Sequence, residues 1–326
     1  MIICRTPMRM SFVGGGSDME CFYRRCGGAV VSMAINKYMY INVNKKFTEG
    51  VRASYSCTEE VETASEVRHP LIRSALEVLG IASGVEIASM ADVQKGTGLG
   101  SSSAFTVCLL HALSAFKGEP VSFEDLAQKA CRVEIDMCNE PIGKQDQYAA
   151  AFGGLNHIVF HPNGRVSVNP IDCPPGVMEK FLNHILVFYT GASRGASSVL
   201  KSQQENIKND TGTENHIADM AALCNPFIIA LQGSNIARLG EIMHENWILK
   251  RKVANIITTD AIDAWYATAI DAGAIGGKLL GAGNGGFLMF LAPPERHSAI
   301  RSALRNLSHM PIGFEKHGSQ IIYCDQ

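Results

Sequence analysis

Hydrophobic positions along this chain change rhythm repeatedly, and glycine or proline stands at most of the changes. From Met1 to Val43 the pattern reads as short strands and turns, with the β-forming run Tyr38 to Val43 as one strand. It then predicts a helix over His69–Leu79 stopped by Gly80, and a strand from Val85 to Met90. A mostly buried helix follows over Phe105–Phe116, ending near Gly118-Glu119-Pro120. Ser122, with Asp125 three residues later, opens a helix that runs to about Cys138. Pro141 breaks it, and an alanine run favours a new helix from near Lys144. Leu155 to Phe160 reads as a strand.

Pro174-Pro175 is the clearest internal punctuation, so the expected lobes are residues 1–173 and 174–326. The second opens with a strand from His184 to Tyr189. Helices are expected over Ser197–Lys208, Glu214–Gln232, Asn235–Lys250 and Thr259–Ala272. A strand over Phe287–Leu291, a helix over Glu295–Leu307 and a strand over Gln320–Cys324 close the chain. Strands and helices mix without a regular βαβα alternation. That predicts an α+β fold rather than a doubly wound sheet.

Composition narrows the function classes. The 326 residues suffice for two lobes, and 46% hydrophobic with 18% charged residues is ordinary for a globular chain. A formal net charge of −2 gives no footprint for nucleic acid or an anionic membrane, so any phosphate must be held by a local site. The ten cysteines include no Cys-x-x-Cys pair and no zinc spacing, which suits buried, reduced thiols. No signal peptide and no apolar span of membrane length is evident, so a cytoplasmic location is the default expectation.

The candidate chemistry lies in three glycine clusters. The central one, Lys95-Gly96-Thr97-Gly98-Leu99-Gly100-Ser101-Ser102-Ser103, leads into an apolar run. Glycines let backbone N–H groups converge, and serines at a helix start add unpaired donors and a positive dipole end. Together they suit a phosphate chain, although a flexible turn before a serine-capped helix has the same composition. The stretch is neither Gly-x-x-x-x-Gly-Lys-Ser/Thr nor a dinucleotide fingerprint. The first cluster, Gly14-Gly15-Gly16-Ser17-Asp18, fits a loop bringing backbone and carboxylate to a ligand, or a plain turn capping a helix. The third runs from Gly276 to Gly286.

Three such clusters in this order, with an acidic helix between the second and third, resemble the GHMP kinases. The likeness covers nearly the whole chain. It is carried by Pro7–Asp18, by Gly98-Leu99-Gly100-Ser101-Ser102, and by Lys278-Leu279-Leu280-Gly281-Ala282-Gly283-Asn284-Gly285-Gly286. Within the family, Phe12–Asp18, Pro141–Gly154 and Phe188-Tyr189-Thr190-Gly191-x-x-Arg194 are similar to the D-glycero-D-manno-heptose 7-phosphate kinases. A Gly-Glu-His-Thr-Asp signature of the galactokinase type is replaced by Gly14-Gly15-Gly16-Ser17-Asp18, which argues against galactose.

The resemblance implies a two-lobed fold with the active site between the lobes. It also implies transfer of the γ-phosphate of ATP to a sugar hydroxyl, with Mg²⁺ held by Ser102 and Glu134. Asp136 is a nearby competitor of Glu134. Residues 95, 96, 98 and 99–103 would cradle the nucleotide phosphates. Asp146 would be the general base or charge partner of the attacking hydroxyl, and Arg9 would orient it; a dipole-favoured helix carboxylate is the bland reading of Asp146. Gly15, Gly16, Ser17, Asp18 and Gly283 are expected at the substrate, with Arg194 as a clamp for a phosphate it already carries or a solvated surface residue. Lys278 stays outside this set. The expected partners are the sugar phosphate and ATP, with neither nucleic acid nor membrane, for a monomer or homodimer.

Overall fold

The computed structural model describes residues 1–191 and 196–325. The N-terminal stretch is two long strands rather than several short ones: β1 (Ile2–Val13) and β2 (Gly28–Lys45), antiparallel and joined through α1 (Glu20–Cys26). Pro7 lies inside β1, and the β1–β2 register shifts between Pro7 and Met8. The proline thus sits at an irregularity in the ladder, a place where a strand tolerates it.

Next come β3 (Val51–Ser54), β4 (Thr58–Val61), α2 (Pro70–Val78), β5 (Val85–Ala91) and the central helix α3 (Ser101–Phe116). They are followed by α4 (Phe123–Cys131), α5 (Gln145–Phe152), β6 (Leu155–Phe160) and β7 (Val166–Pro170). Helix α3 begins at Ser101 instead of Phe105, so the serines are its first turn. It is buried nearly all round and packs on β1 and β2, which explains its weak amphipathic signal.

The second half holds α6 (Val177–Leu182), β8 (Ile185–Tyr189), α7 (Ala196–Asn209), α8 (Thr211–Ala222) and α9 (Cys224–Gln232). After them stand α10 (Ile236–Val253), α11 (Asp260–Asp271), β9 (Gly276–Leu279), β10 (Phe287–Leu291), α12 (His297–Ala303), β11 (Ser308–His309) and β12 (Gln320–Cys324). The single helix expected over Glu214–Gln232 is two. Asp210 caps α8 through the N–H groups of Gly212 and Thr213, and Pro226 in the first turn of α9 has no N–H to continue the earlier helix.

Among the described residues these strands form two sheets. One has eight strands in the order β12-β1-β2-β5-β3-β4, with β6 on β2 and β7 on β6; the other runs β11-β8-β10-β9. Strand β12 pairs with β1, so the last residues return to the first lobe instead of staying with the residues after Pro174-Pro175. Phe12 bridges the lobes, its ring 5.2 Å from Phe181 and 5.3 Å from Phe227. In the α+β architecture one apolar core runs from the large sheet into the second lobe, and another, around Trp247 and Phe290, lies within that lobe. All ten cysteines are free thiols, and four of them are buried.

Candidate active site

The site is built outward from Arg9. On β1 it is 4% exposed, and its Nε and Nη2 donate to Oδ1 and Oδ2 of Asp146 at 2.7 Å each. This two-pronged pairing fixes the plane of the carboxylate. Nη1 donates to the Gly98 carbonyl at 2.7 Å, and the Arg9 backbone N–H to the Leu99 carbonyl at 3.0 Å. One arginine therefore joins β1, the central glycine loop and the start of α5. A Cβ added at Gly100 would lie 3.4 Å from Asp146 Oδ2, which places the aspartate at the rim of that loop.

Gly100 is the N-cap of α3, in the left-handed region, and no side chain caps the helix. Its first N–H groups and positive dipole end face the loop, as an anion seat requires. The side chains of Leu99, Ser101 and Ser103 are buried, so toward a phosphate these residues offer backbone; Lys95 and Gly96 are exposed on the approach to the loop. Gly98 and Gly281 are in backbone contact. A Cβ on Gly98 would stand 2.4 Å from the Leu280 carbonyl oxygen, and one on Gly281 would stand 2.3 Å from Gly98 Cα. The second and third glycine clusters meet because neither carries a side chain there.

Glu134 reaches the same place by a local irregularity. The helix expected from Ser122 to Cys138 ends at Cys131 and passes into a π-helical turn over Arg132–Met137, a form often found at functional sites. Within it Glu134 is fully buried. Its Oε1 accepts from Ser102 Oγ at 3.1 Å and its Oε2 from Gln147 Nε2 at 2.6 Å. Burial pushes the carboxyl up to about 7, against hydrogen bonds from Ser103, Gln147 and Ser102. At a metal–oxygen distance of about 2.1 Å, neighbouring oxygens around an octahedral Mg²⁺ lie about 3.0 Å apart. The Ser102–Glu134 separation fits one such edge. Asp136 is exposed and lines a different cleft, with Lys144 and Arg165.

A second cavity lies against the Arg9–Asp146 pair, lined by Ser11, Gly15, Gly16, Asp18, Gln145, Lys250 and Lys278 among others. Asp18, 3% exposed, accepts from Gly16 N at 3.0 Å and from Gln145 N and Nε2 at 3.2 Å each. Burial first, and the charge of Asp146 second, push its carboxyl up. Ser17 does not face this cavity. Its fully buried hydroxyl is within 2.8 Å of Gly14 O and 2.9 Å of Ala29 O and accepts from Ala29 N, so it holds the loop to β2. Gly283 also stands apart, packed on the backbone of Ile257. Arg194 lies outside the described residues.

Lys250, Gln145 and Gln147 enter the site without having been singled out from sequence. Lys250 had a readable signal: with Leu239, Met243 and Trp247 it lies on the buried stripe of α10, where a lysine is out of place.

Two family models match the chain, the GHMP kinases N terminal domain over residues 68–154 and GHMP kinases C terminal over residues 227–309. The chain belongs to the GHMP kinases. Among this kinase's relatives is the D-glycero-alpha-D-manno-heptose 7-phosphate kinase of Campylobacter jejuni, 28% identical over 92% of each chain. The bifunctional fucokinase/GDP-fucose pyrophosphorylase of Arabidopsis thaliana is 26% identical over 94% of this chain and 31% of its own length. A crystal structure described as a D-glycero-D-manno-heptose 1-phosphate kinase from Bacteroides thetaiotaomicron superposes with a TM-score of 0.83 at 24% identity, covering all of both chains. ATP is the phosphate donor of the family. No described helix is long and apolar enough to cross a membrane.

Proposed function

We propose that this GHMP kinase transfers the γ-phosphate of ATP to the anomeric hydroxyl of D-glycero-D-manno-heptose 7-phosphate, giving the 1,7-bisphosphate. The observation that carries a kinase reading is the Arg9–Asp146 pair, set between a helix-start anion seat and a polar cavity. The heptose phosphate rests on the 28% relative and on the sequence resemblance.

In this reading the acceptor hydroxyl lies on Asp146 and its oxygen attacks the terminal phosphorus. As that O–P bond forms, the bond from phosphorus to the β–γ bridging oxygen breaks and ADP leaves. Asp146 takes the proton late, when the hydroxyl has become acidic, and Arg9 keeps the carboxylate aimed and offsets developing charge. Mg²⁺ bound by Ser102 and Glu134 would supply charge neutralisation at the phosphate oxygens. Gln147 steadies Glu134 from behind. Gln147→Leu is accordingly expected to raise the Mg²⁺ concentration for half-maximal rate about 10- to 100-fold, read by an Mg²⁺ titration of ADP release. An unchanged Mg²⁺ dependence removes Glu134 from the metal site.

The test of the function is a coupled ADP-release screen over heptose 7-phosphate, unphosphorylated heptose, L-fucose and D-galactose. Release with the heptose phosphate supports the proposal. A preference for L-fucose moves this kinase toward the fucokinase relative, and binding without turnover makes it a sensor. Arg194 is proposed as a clamp for the acceptor's own phosphate. Arg194→Ala should then raise KM about tenfold for a phosphorylated sugar and leave a neutral one unchanged.

A further inference from the structure

Three basic side chains line the acceptor cavity against two carboxylates, Asp146 and Asp18. Arg9 is paired with Asp146, but Lys250 and Lys278 reach the same cavity at 7% and 2% exposure. Among the described residues each side chain makes one hydrogen bond, to a backbone carbonyl: Lys250 to Gly281, and Lys278 to Ser11 at 3.0 Å. Neither is ion-paired among the described residues. An ammonium has three N–H donors, so each keeps two to spend. Beside them the buried Ser11 hydroxyl, which can donate to an anion, has no partner among the described residues; the unpartnered Gln145 Oε1 only accepts and suits a sugar hydroxyl instead. Two adjacent buried amines with unspent donors hold their protons only at a cost, which a bound anion would offset.

Their position says which end of the acceptor that anion occupies. Lys278 bonds to Ser11, two residues along β1 from Arg9, which is about 6–7 Å at the usual strand rise. None of residues 96–103 lines this cavity, which puts Lys278 on the acceptor's side of Asp146; Lys250, bonded to Gly281 beside Gly98, reaches from there toward the glycine loops. We propose that Lys250 and Lys278 seat a phosphate monoester carried by the acceptor, at the end of the sugar opposite the hydroxyl that reacts. This rests on the sugar-kinase reading above and makes the site selective for phosphorylated sugars.

Burial and neighbouring cations support the assignment. Lys278 faces Lys250 and Arg9, with Cys224 also near, and burial holds its pKa well below that of a free lysine. Burial and then Arg9 bring Lys250 down to about 8, with Asp18 pulling the other way. An arriving dianion reverses both shifts, so its binding near pH 8 takes up protons.

The test is isothermal titration calorimetry, without nucleotide, of heptose 7-phosphate and unphosphorylated heptose in two buffers of different ionisation enthalpy. The phosphorylated sugar should bind at least about tenfold tighter, with proton uptake. Lys278→Met and Lys250→Met should each remove most of that advantage and spare the affinity for the free heptose, while Lys278→Arg retains part of it. Equal affinity of the wild type for the two sugars, binding of neither, or variants that lose both alike would overturn the proposal. So would a fall in kcat with sugar affinity unchanged, which assigns the lysines to the transferring phosphoryl group. Tight, lysine-dependent binding without ADP release would defeat the kinase reading and leave the phosphate seat standing.

Discussion

Asp146→Asn is expected to lower kcat by about 10²- to 10⁴-fold while ATP affinity stays unchanged. The substitution keeps shape and removes one charge. Asparagine accepts from one Arg9 nitrogen but not from both, so the two-pronged grip is lost together with the base. Arg9, nearly buried, is left with part of its charge uncompensated, at a cost of about 1–3 kcal/mol in stability. Single-turnover rates and nucleotide titrations separate the two effects. Near-normal turnover would mean that Asp146 is a structural partner of Arg9 and nothing more.

Gly98→Ala should disable the protein by a different route. Gly98 has φ +86°, and the added Cβ would fall 2.4 Å from the Leu280 carbonyl oxygen and 2.8 Å from its carbon. Those atoms are backbone, so no side chain can turn aside. The left-handed conformation alone costs an alanine about 1–2 kcal/mol. Relief comes by parting the two glycine loops, and a displacement of about 1 Å at a phosphate-positioning loop lowers the rate about 10²-fold. The expected result is weakened ATP binding with a melting point lowered by several degrees. Wild-type ATP affinity in this variant would contradict the loop contact.

How much of this could be read from the chain depends on how local each signal is. The segment from Gly98 to Ser103 was legible because its glycines and hydroxyls are contiguous and sit at a helix start. Asp146 and Arg9 were legible only through the family resemblance, since 137 residues separate them and no spacing rule joins them. Helices such as α2 and strands such as β6 and β10 followed their periodicity closely. Strand β1 did not: its stretch reads as short strands and turns, whereas it is one long strand with Pro7 at a register shift. The π-helical turn at Glu134 could not be read, as one extra residue per turn leaves no mark on composition. Ser17 misled for the opposite reason: a serine beside an aspartate in a glycine loop looks like a ligand contact, whereas its hydroxyl ties the loop to β2. Lys250 was overlooked among the basic residues that end α10, though its place on the buried stripe set it apart.

Phosphoryl transfer in this kinase requires the helix-start anion seat and the acceptor cavity to meet at Asp146. A crystal structure with a nonhydrolysable ATP analogue and heptose 7-phosphate tests it most directly. The γ-phosphorus is expected above the first turn of α3, with a sugar hydroxyl hydrogen-bonded to Asp146 and aligned about 3–3.5 Å from that phosphorus. A sugar seated with no hydroxyl near Asp146, or a nucleotide bound away from Gly98–Ser103, would contradict it.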